Sequence, residues 1–153
     1  MKNEDIEVLA EVFCSVLERE SFMFGYAVDK DEASPCSSMQ RADLTFNGSV
    51  VSGIVSIILP EPLTLELAAN ILGAEPEEDF VKEQAHDALG ELLNVLCGQF
   101  LTTVEGEDPI FDLGVPQVNG IDNDQWQDLL KLDCTTLLMV EDEHNVLLKL
   151  QIT

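Results

Sequence analysis

One long helical run constrains this chain more than any other feature. After Pro76 the acids Glu77, Glu78 and Asp79 stand where a helix N-terminus favours negative charge, and apolar residues then recur at helical spacing to about Val104. With Asp87 set to zero and about 100° per residue, Glu91 falls near 40°, Asn94 near 340° and Gly98 near 20°. These four share one narrow stripe. Ala85, Leu89, Leu92, Leu96, Phe100 and Thr103 fall opposite, at roughly 140° to 220°, and form the stripe expected to face a core. The polar stripe is therefore expected to point outward.

The rest of the chain reads as shorter elements around this rod. Residues 4–20 place Ile6, Leu9, Phe13, Val16 and Leu17 at helical spacing among acids, which predicts a first amphipathic helix. Phe22–Val28 reads as a strand, and Asp29–Ser38, containing Pro35, as a polar loop. Leu44–Phe46 and Val50–Leu59 read as strands joined at Asn47-Gly48, residues that tolerate the positive φ of tight hairpins. Pro60 and Pro62 stop the strand, and a short second helix over Leu63–Leu72 is closed by Gly73. Glu105–Asp133 reads as irregular, with Pro109, Gly114, Pro116 and Gly120 and one helical turn at Gln125–Leu130. Two strands, Cys134–Val140 and Val146–Ile152, flank a polar turn at Glu141–Asn145. Strands and helices alternate without regular βαβ units. The expected fold is of the α/β (α+β) type: one domain over residues 1–153, a sandwich of a largely antiparallel mixed sheet with long helices packed on it.

Charge narrows the partners. Seven basic residues against thirty acidic ones give a net charge of −23, which repels nucleic acid and anionic membrane surfaces. The acidic start has no apolar signal core and Val50–Leu59 is too short to span a membrane, so the expected location is the cytoplasm. Cys14, Cys36, Cys97 and Cys134 lack metal-binding spacing and read as reduced packing thiols. With only His86 and His144 as imidazoles, no metal site is expected. His86, next to Asp87, reads as a surface or packing residue. Glu105, Glu107 and Asp108 read as solvated loop acids, and Trp126 either as a partner contact or as the anchor of a long loop.

Gly98 adds to the outward stripe. An interior helix glycine costs about 1 kcal/mol relative to alanine, and nothing in a core demands smallness at a solvent-facing position. A gap beside Asn94 lets another surface approach its carboxamide. A solvated face is the ordinary explanation of such a stripe, and periodicity alone does not exceed it.

The run Asp87-Ala88-Leu89-Gly90-Glu91-Leu92-Leu93-Asn94-Val95-Leu96-Cys97-Gly98 resembles the signature of the CheC/CheX/FliY chemotaxis phosphatases: an acid or serine, then E-x-x-N, on a long helix, with a proline further along. Pro116 stands where that proline is expected. Ser52-Gly53-Ile54-Val55-Ser56-Ile57, Ala68 and Leu72-Gly73 resemble the family's glycine-led strand and short helix, and the likeness spans residues 5–152. The first helix offers Glu7-Val8-Leu9-Ala10 and Glu11-Val12-Phe13-Cys14, neither ending in asparagine, so one site carries over, as in the CheX branch.

The resemblance implies a phosphatase acting on the aspartyl phosphate of a CheY-like receiver domain. Asn94 is implied to orient the attacking water and Glu91 to dock the receiver's lysine, with Asp87 and Gly98 supporting the docking face. No intrinsic cofactor is implied, because Mg²⁺ comes with the receiver, and a homodimer joined at sheet edges is implied as well. The alternative from another class is a non-catalytic adaptor of the same fold that uses this face to dock a partner.

Overall fold

The computed structural model describes residues 1–34 and 38–153, so Pro35 and Cys36 of the predicted polar loop lie outside the described residues. Among the described residues four α-helices and seven strands follow one another in the order α1 (Ile6–Ser21), β1 (Gly25–Val28), β2 (Met39–Asn47), β3 (Ser52–Pro60), α2 (Glu61–Leu72), α3 (Asp79–Glu105), β4 (Asp112–Leu113), β5 (Gln117–Ile121), α4 (Asn123–Leu130), β6 (Thr135–Val140) and β7 (His144–Ile152). The strands form one sheet in the order β1-β6-β7-β3-β2, and β4 and β5 both pair with the outer side of β2. Every pairing is antiparallel.

Period-two alternation divides the sheet into two faces. Ala42, Leu44 and Phe46 of β2, Val55, Ile57 and Leu59 of β3, and Val146, Leu148 and Leu150 of β7 meet α1, α2 and α3 in the main core. The opposite face sends Met39, Ile58, Leu137 and Leu147 against α4, where Trp126, Leu129 and Leu130 complete a smaller core. Trp126 is fully buried there, so the loop-anchor reading is the correct one and the partner-contact reading is not. A capping box between Asp122 and Gln125 starts α4, which gives this helix two turns where the sequence predicted one.

Helix ends follow their local chemistry. Gly73 closes α2 at φ 67°, the left-handed conformation that favours glycine. The β2–β3 hairpin forms where Asn47-Gly48 predicted it, but neither residue has positive φ, and four residues connect the paired Asn47 and Ser52. Gly48 serves a different purpose. A Cβ on it would stand 2.6 Å from the Phe111 ring, which packs edge-on against Phe46.

Two further expectations need correction. The segment predicted as irregular holds β4 and β5, whose outward polar residues hide the alternation that marks a strand. Thr103, assigned to the core stripe of the long helix, is exposed, and its hydroxyl donates to the Gln99 carbonyl at 2.8 Å. The last turn of α3 presents Thr102 and Thr103 to solvent, while Val104 packs against the main core.

Candidate functional site

The outward face of α3 carries the stripe read from the sequence. Helical wheel positions three and four apart are neighbours, so Asp87, Glu91, Asn94 and Gly98 form one continuous row. Asp87 and Glu91 are exposed, while Asn94 and Gly98 are half-buried. Neither the Glu91 nor the Asn94 side chain makes a hydrogen bond or ion pair to any described residue. A surface acid and amide without partners are free to meet those of another molecule.

The opposite stripe explains the rigidity of this row. Leu89, Leu92, Leu93, Leu96, Cys97, Phe100 and Leu101 are buried in the main core, and the fully buried Phe100 alone is worth roughly 1.5–3 kcal/mol of hydrophobic burial. The N-terminal part of α3 meets α2 through small residues, Val81, Ala85 and Ala88 against Ala68 and Ala69. Because the helix is held along both halves, its exposed side chains start from a fixed backbone. Burial also pushes the Cys97 thiol up to about 12, consistent with an inert packing group.

Gly98 has open space where a Cβ would stand. It borders a depression of about 180 Å³ lined by Leu101, Thr102, Pro109, Phe111 and Leu113 as well. Open space therefore stands at Gly98, one helical turn from Asn94.

Gly90, which carries no signal of its own in the sequence, lies next to the candidate row. A Cβ there would lie 3.3 Å from Cβ of Pro116, so the glycine lets Pro116 settle on the helix one residue before Glu91. Pro116 lies between β4 and β5, where the outer strand is interrupted. At the same break the Gly114 amide donates to the Thr45 carbonyl at 2.9 Å, and a Cβ on Gly114 would collide with the Thr45 hydroxyl. The break leaves Val115 exposed in the same loop. A helix glycine and a loop proline with no periodic signal between them could be linked only by their shared motif.

His86 is exposed, and its Nε2 lies 3.1 Å from the Gln40 amide nitrogen, which ties it to β2 rather than to Asp87. Among the described residues, Glu105, Glu107 and Asp108 do not converge as cation ligands.

The geometry defines a class: an α/β protein with a row of candidate groups on the outer face of one long helix, outside any enclosed pocket. A family model described as "Chemotaxis phosphatase CheX" matches residues 42–131, more than half of the chain, and the protein belongs to that family. Solved structures share the fold. A chain of the CheX–CheY–BeF3–Mg²⁺ complex from Borrelia burgdorferi matches with TM-score 0.67, 18% identity and 99% of each chain covered. Chemotaxis protein CheX from Vibrio vulnificus matches with TM-score 0.70 and 17% identity over 98% of this chain and 97% of that one. CheX from Desulfovibrio desulfuricans gives 0.65 and 13% over 98% and 99%. Among curated proteins none matches in sequence.

Proposed function

We propose that this protein hydrolyses the aspartyl phosphate of a CheY-like receiver domain. The observation that carries the proposal is the unpartnered Glu91–Asn94 pair on a rigid exposed helix face with open space at Gly98. The related Borrelia burgdorferi structure, a CheX–CheY complex with BeF3 and Mg²⁺, supports the choice of partner and a partner-supplied Mg²⁺.

An acyl phosphate is already activated, so the chemistry asks mainly for a positioned water. The Asn94 carboxamide offers both an acceptor and a donor and can hold that water in line with the phosphorus. Well-oriented reactants recover up to roughly 7–11 kcal/mol in favourable cases, and a slowly self-hydrolysing phosphoaspartate needs only part of this. Glu91, one turn away, pairs with the receiver's lysine and fixes the register of docking. Asp87 supports the stripe. Exposed Val95, Ile110 and Val115 supply apolar contact around it.

The net charge of −23 opposes encounter with an acidic receiver pocket, but no residue from Leu92 to Val104 is charged. Beyond Glu91 the approach to Asn94 along the helix therefore carries no further acid, and because the overall charge repels, added salt is expected to speed association instead of slowing it. We place the protein in the cytoplasm with its receiver. It works as a homodimer joined at a sheet edge: among the described residues β1 pairs only with β6, and Phe22 and Phe24 just before it and Tyr26 within it are exposed. Light scattering at micromolar concentration tests the dimer.

The direct test follows phosphate loss from cognate receivers charged with a small phosphodonor. Wild type accelerates the loss, and Asn94→Ala removes on the order of 100-fold of that acceleration with the fold intact. Glu91→Gln mainly raises KM, by about tenfold, as expected of one lost interfacial ion pair. An acceleration that survives Asn94→Ala overturns the mechanism. Binding without any acceleration would make the chain an adaptor.

A further inference from the structure

Away from the α3 stripe, three metal-ligating side chains converge between α2 and the β6–β7 turn. Among the described residues they are the one such group: Glu66, Glu143 and His144, with donor atoms all within 4.8 Å of one another. His144 Nε2 is 3.6 Å from Glu66 Oε2 and 3.6 Å from Glu143 Oε2. These distances are too long for hydrogen bonds. Nε2 is itself buried, on a side chain only 11% exposed, and has no hydrogen-bond partner. A buried imidazole nitrogen without a hydrogen-bond partner, 3.6 Å from each of two carboxylates, is the arrangement a bound cation would complete.

The turn that carries Glu143 and His144 is held in place by other groups. Glu141 and Asp142 adopt left-handed backbone, φ 56° and 54°. The Phe24 amide donates to the Glu141 carboxylate at 2.8 Å, and the Glu141 amide donates to the Phe24 carbonyl at 2.9 Å. The Tyr26 hydroxyl donates to Asp142 at 2.7 Å. Two of the turn's three acids are thus engaged in fastening it, and the third, Glu143, is the one that meets His144. Glu66 arrives from α2, far away in sequence, which is why ligand spacing gave no signal.

We propose that Glu66, Glu143 and His144 bind a divalent transition-metal ion of the zinc type, tying the β6–β7 hairpin to α2. Bonds of about 2.1 Å in a tetrahedral site place donors about 3.4 Å apart, close to the two 3.6 Å separations. One imidazole nitrogen with two carboxylate oxygens selects zinc-like ions over Mg²⁺ or Ca²⁺, which take oxygen ligands. Water fills the fourth position. Glu66 and Glu143 are 38% and 72% exposed, so the ion has an entry path from solvent. The rival occupant of this geometry is a proton on His144, giving an ordinary ion pair with the two glutamates.

The test is calorimetric titration of metal-stripped full-length protein with Zn²⁺, Mg²⁺ and Ca²⁺, paired with the absorption spectrum of the Co²⁺ form. The expected result is one equivalent of Zn²⁺ bound roughly 100-fold more tightly than Mg²⁺ or Ca²⁺. The Co²⁺ spectrum should be tetrahedral, without a sulfur-to-cobalt band. Glu66→Gln, on a helix surface where folding is not at stake, and His144→Gln should each weaken Zn²⁺ by about tenfold or more. Glu4→Gln, a surface acid elsewhere, should leave affinity unchanged and so exclude general attraction to the acidic chain. Equal affinity in wild type and Glu66→Gln, a thiolate band, or no selectivity over Mg²⁺ overturns the proposal.

Discussion

Helices α1 and α3 lie against each other on the same face of the sheet, and each buries an apolar stripe in the same core. Their outer faces differ. Along α1 the exposed positions Glu7, Glu11, Ser15, Glu18, Arg19 and Glu20 are mostly charged, and Arg19 reaches across to donate to Gln99 of α3 at 2.9 Å. Along α3 the row runs acid, acid, amide, glycine, with no side chain at the fourth step. A charged outer face is what any surface helix needs for solubility; an amide beside a missing side chain is not. What sets α3 apart from α1 is thus Asn94 and Gly98 more than the acids.

The inner faces should behave alike. Phe13→Ala in α1 and Phe100→Ala in α3 each remove a fully buried ring, and each is expected to cost about 3–5 kcal/mol in denaturant unfolding. A loss below about 1 kcal/mol in one helix only would break the equivalence of the two inner faces. Gly90→Val, directed at the contact with Pro116, should cost about 1–3 kcal/mol, because the new side chain overpacks a loop already at 3.3 Å. Its phosphatase activity should fall further than its stability, since the displaced loop borders Glu91. An effect on unfolding alone would remove Pro116 from the site.

Gly98→Ala separates the two roles of the outer row. Its Cβ meets nothing within 4 Å, so the substitution should stabilise the protein by about 1 kcal/mol while weakening receiver docking. Unchanged docking would make the glycine incidental. Glu11→Gln on α1 should change stability by less than about 0.5 kcal/mol and activity not at all.

Each helix also carries a thiol packed on the core, half-buried Cys14 and buried Cys97; desolvation raises both, Cys97 to about 12. In the unfolded chain a thiol ionises near about 8.5. The folded state keeps its protons where the unfolded state releases them. This contribution is therefore complete below about pH 8.5 and is lost as pH rises toward 12. Thermal melts at neutral and alkaline pH, with Cys97→Ala as reference, should show a smaller alkaline loss in the variant.

The long elements were legible because periodicity accumulates over many residues. α1, α2 and α3 were read to within a few residues, down to Gly73 as the left-handed cap. Only three of the nine residues of β2 are legible as strand, because the polar Gln40, which meets His86 on the helix side, and Arg41 and Asp43 on the other face interrupt the apolar run. β5 was missed for the same reason, since Gln117, Asn119 and Gly120 are polar or lack a side chain. At the site, the angular position of Glu91, Asn94 and Gly98 followed from helix geometry alone. The Pro116–Gly90 contact did not, because it joins residues far apart in sequence through tertiary packing.

The interruption at Gly114-Val115-Pro116 also has a consequence for how these molecules treat one another in a crowded solution. A visiting chain needs an unbroken row of main-chain donors and acceptors to zip onto, and the border formed by β4 and β5 offers two residues, a gap and then five. Proline at the gap withholds its amide altogether. Growth of stacked sheets from that side is thereby starved of a template.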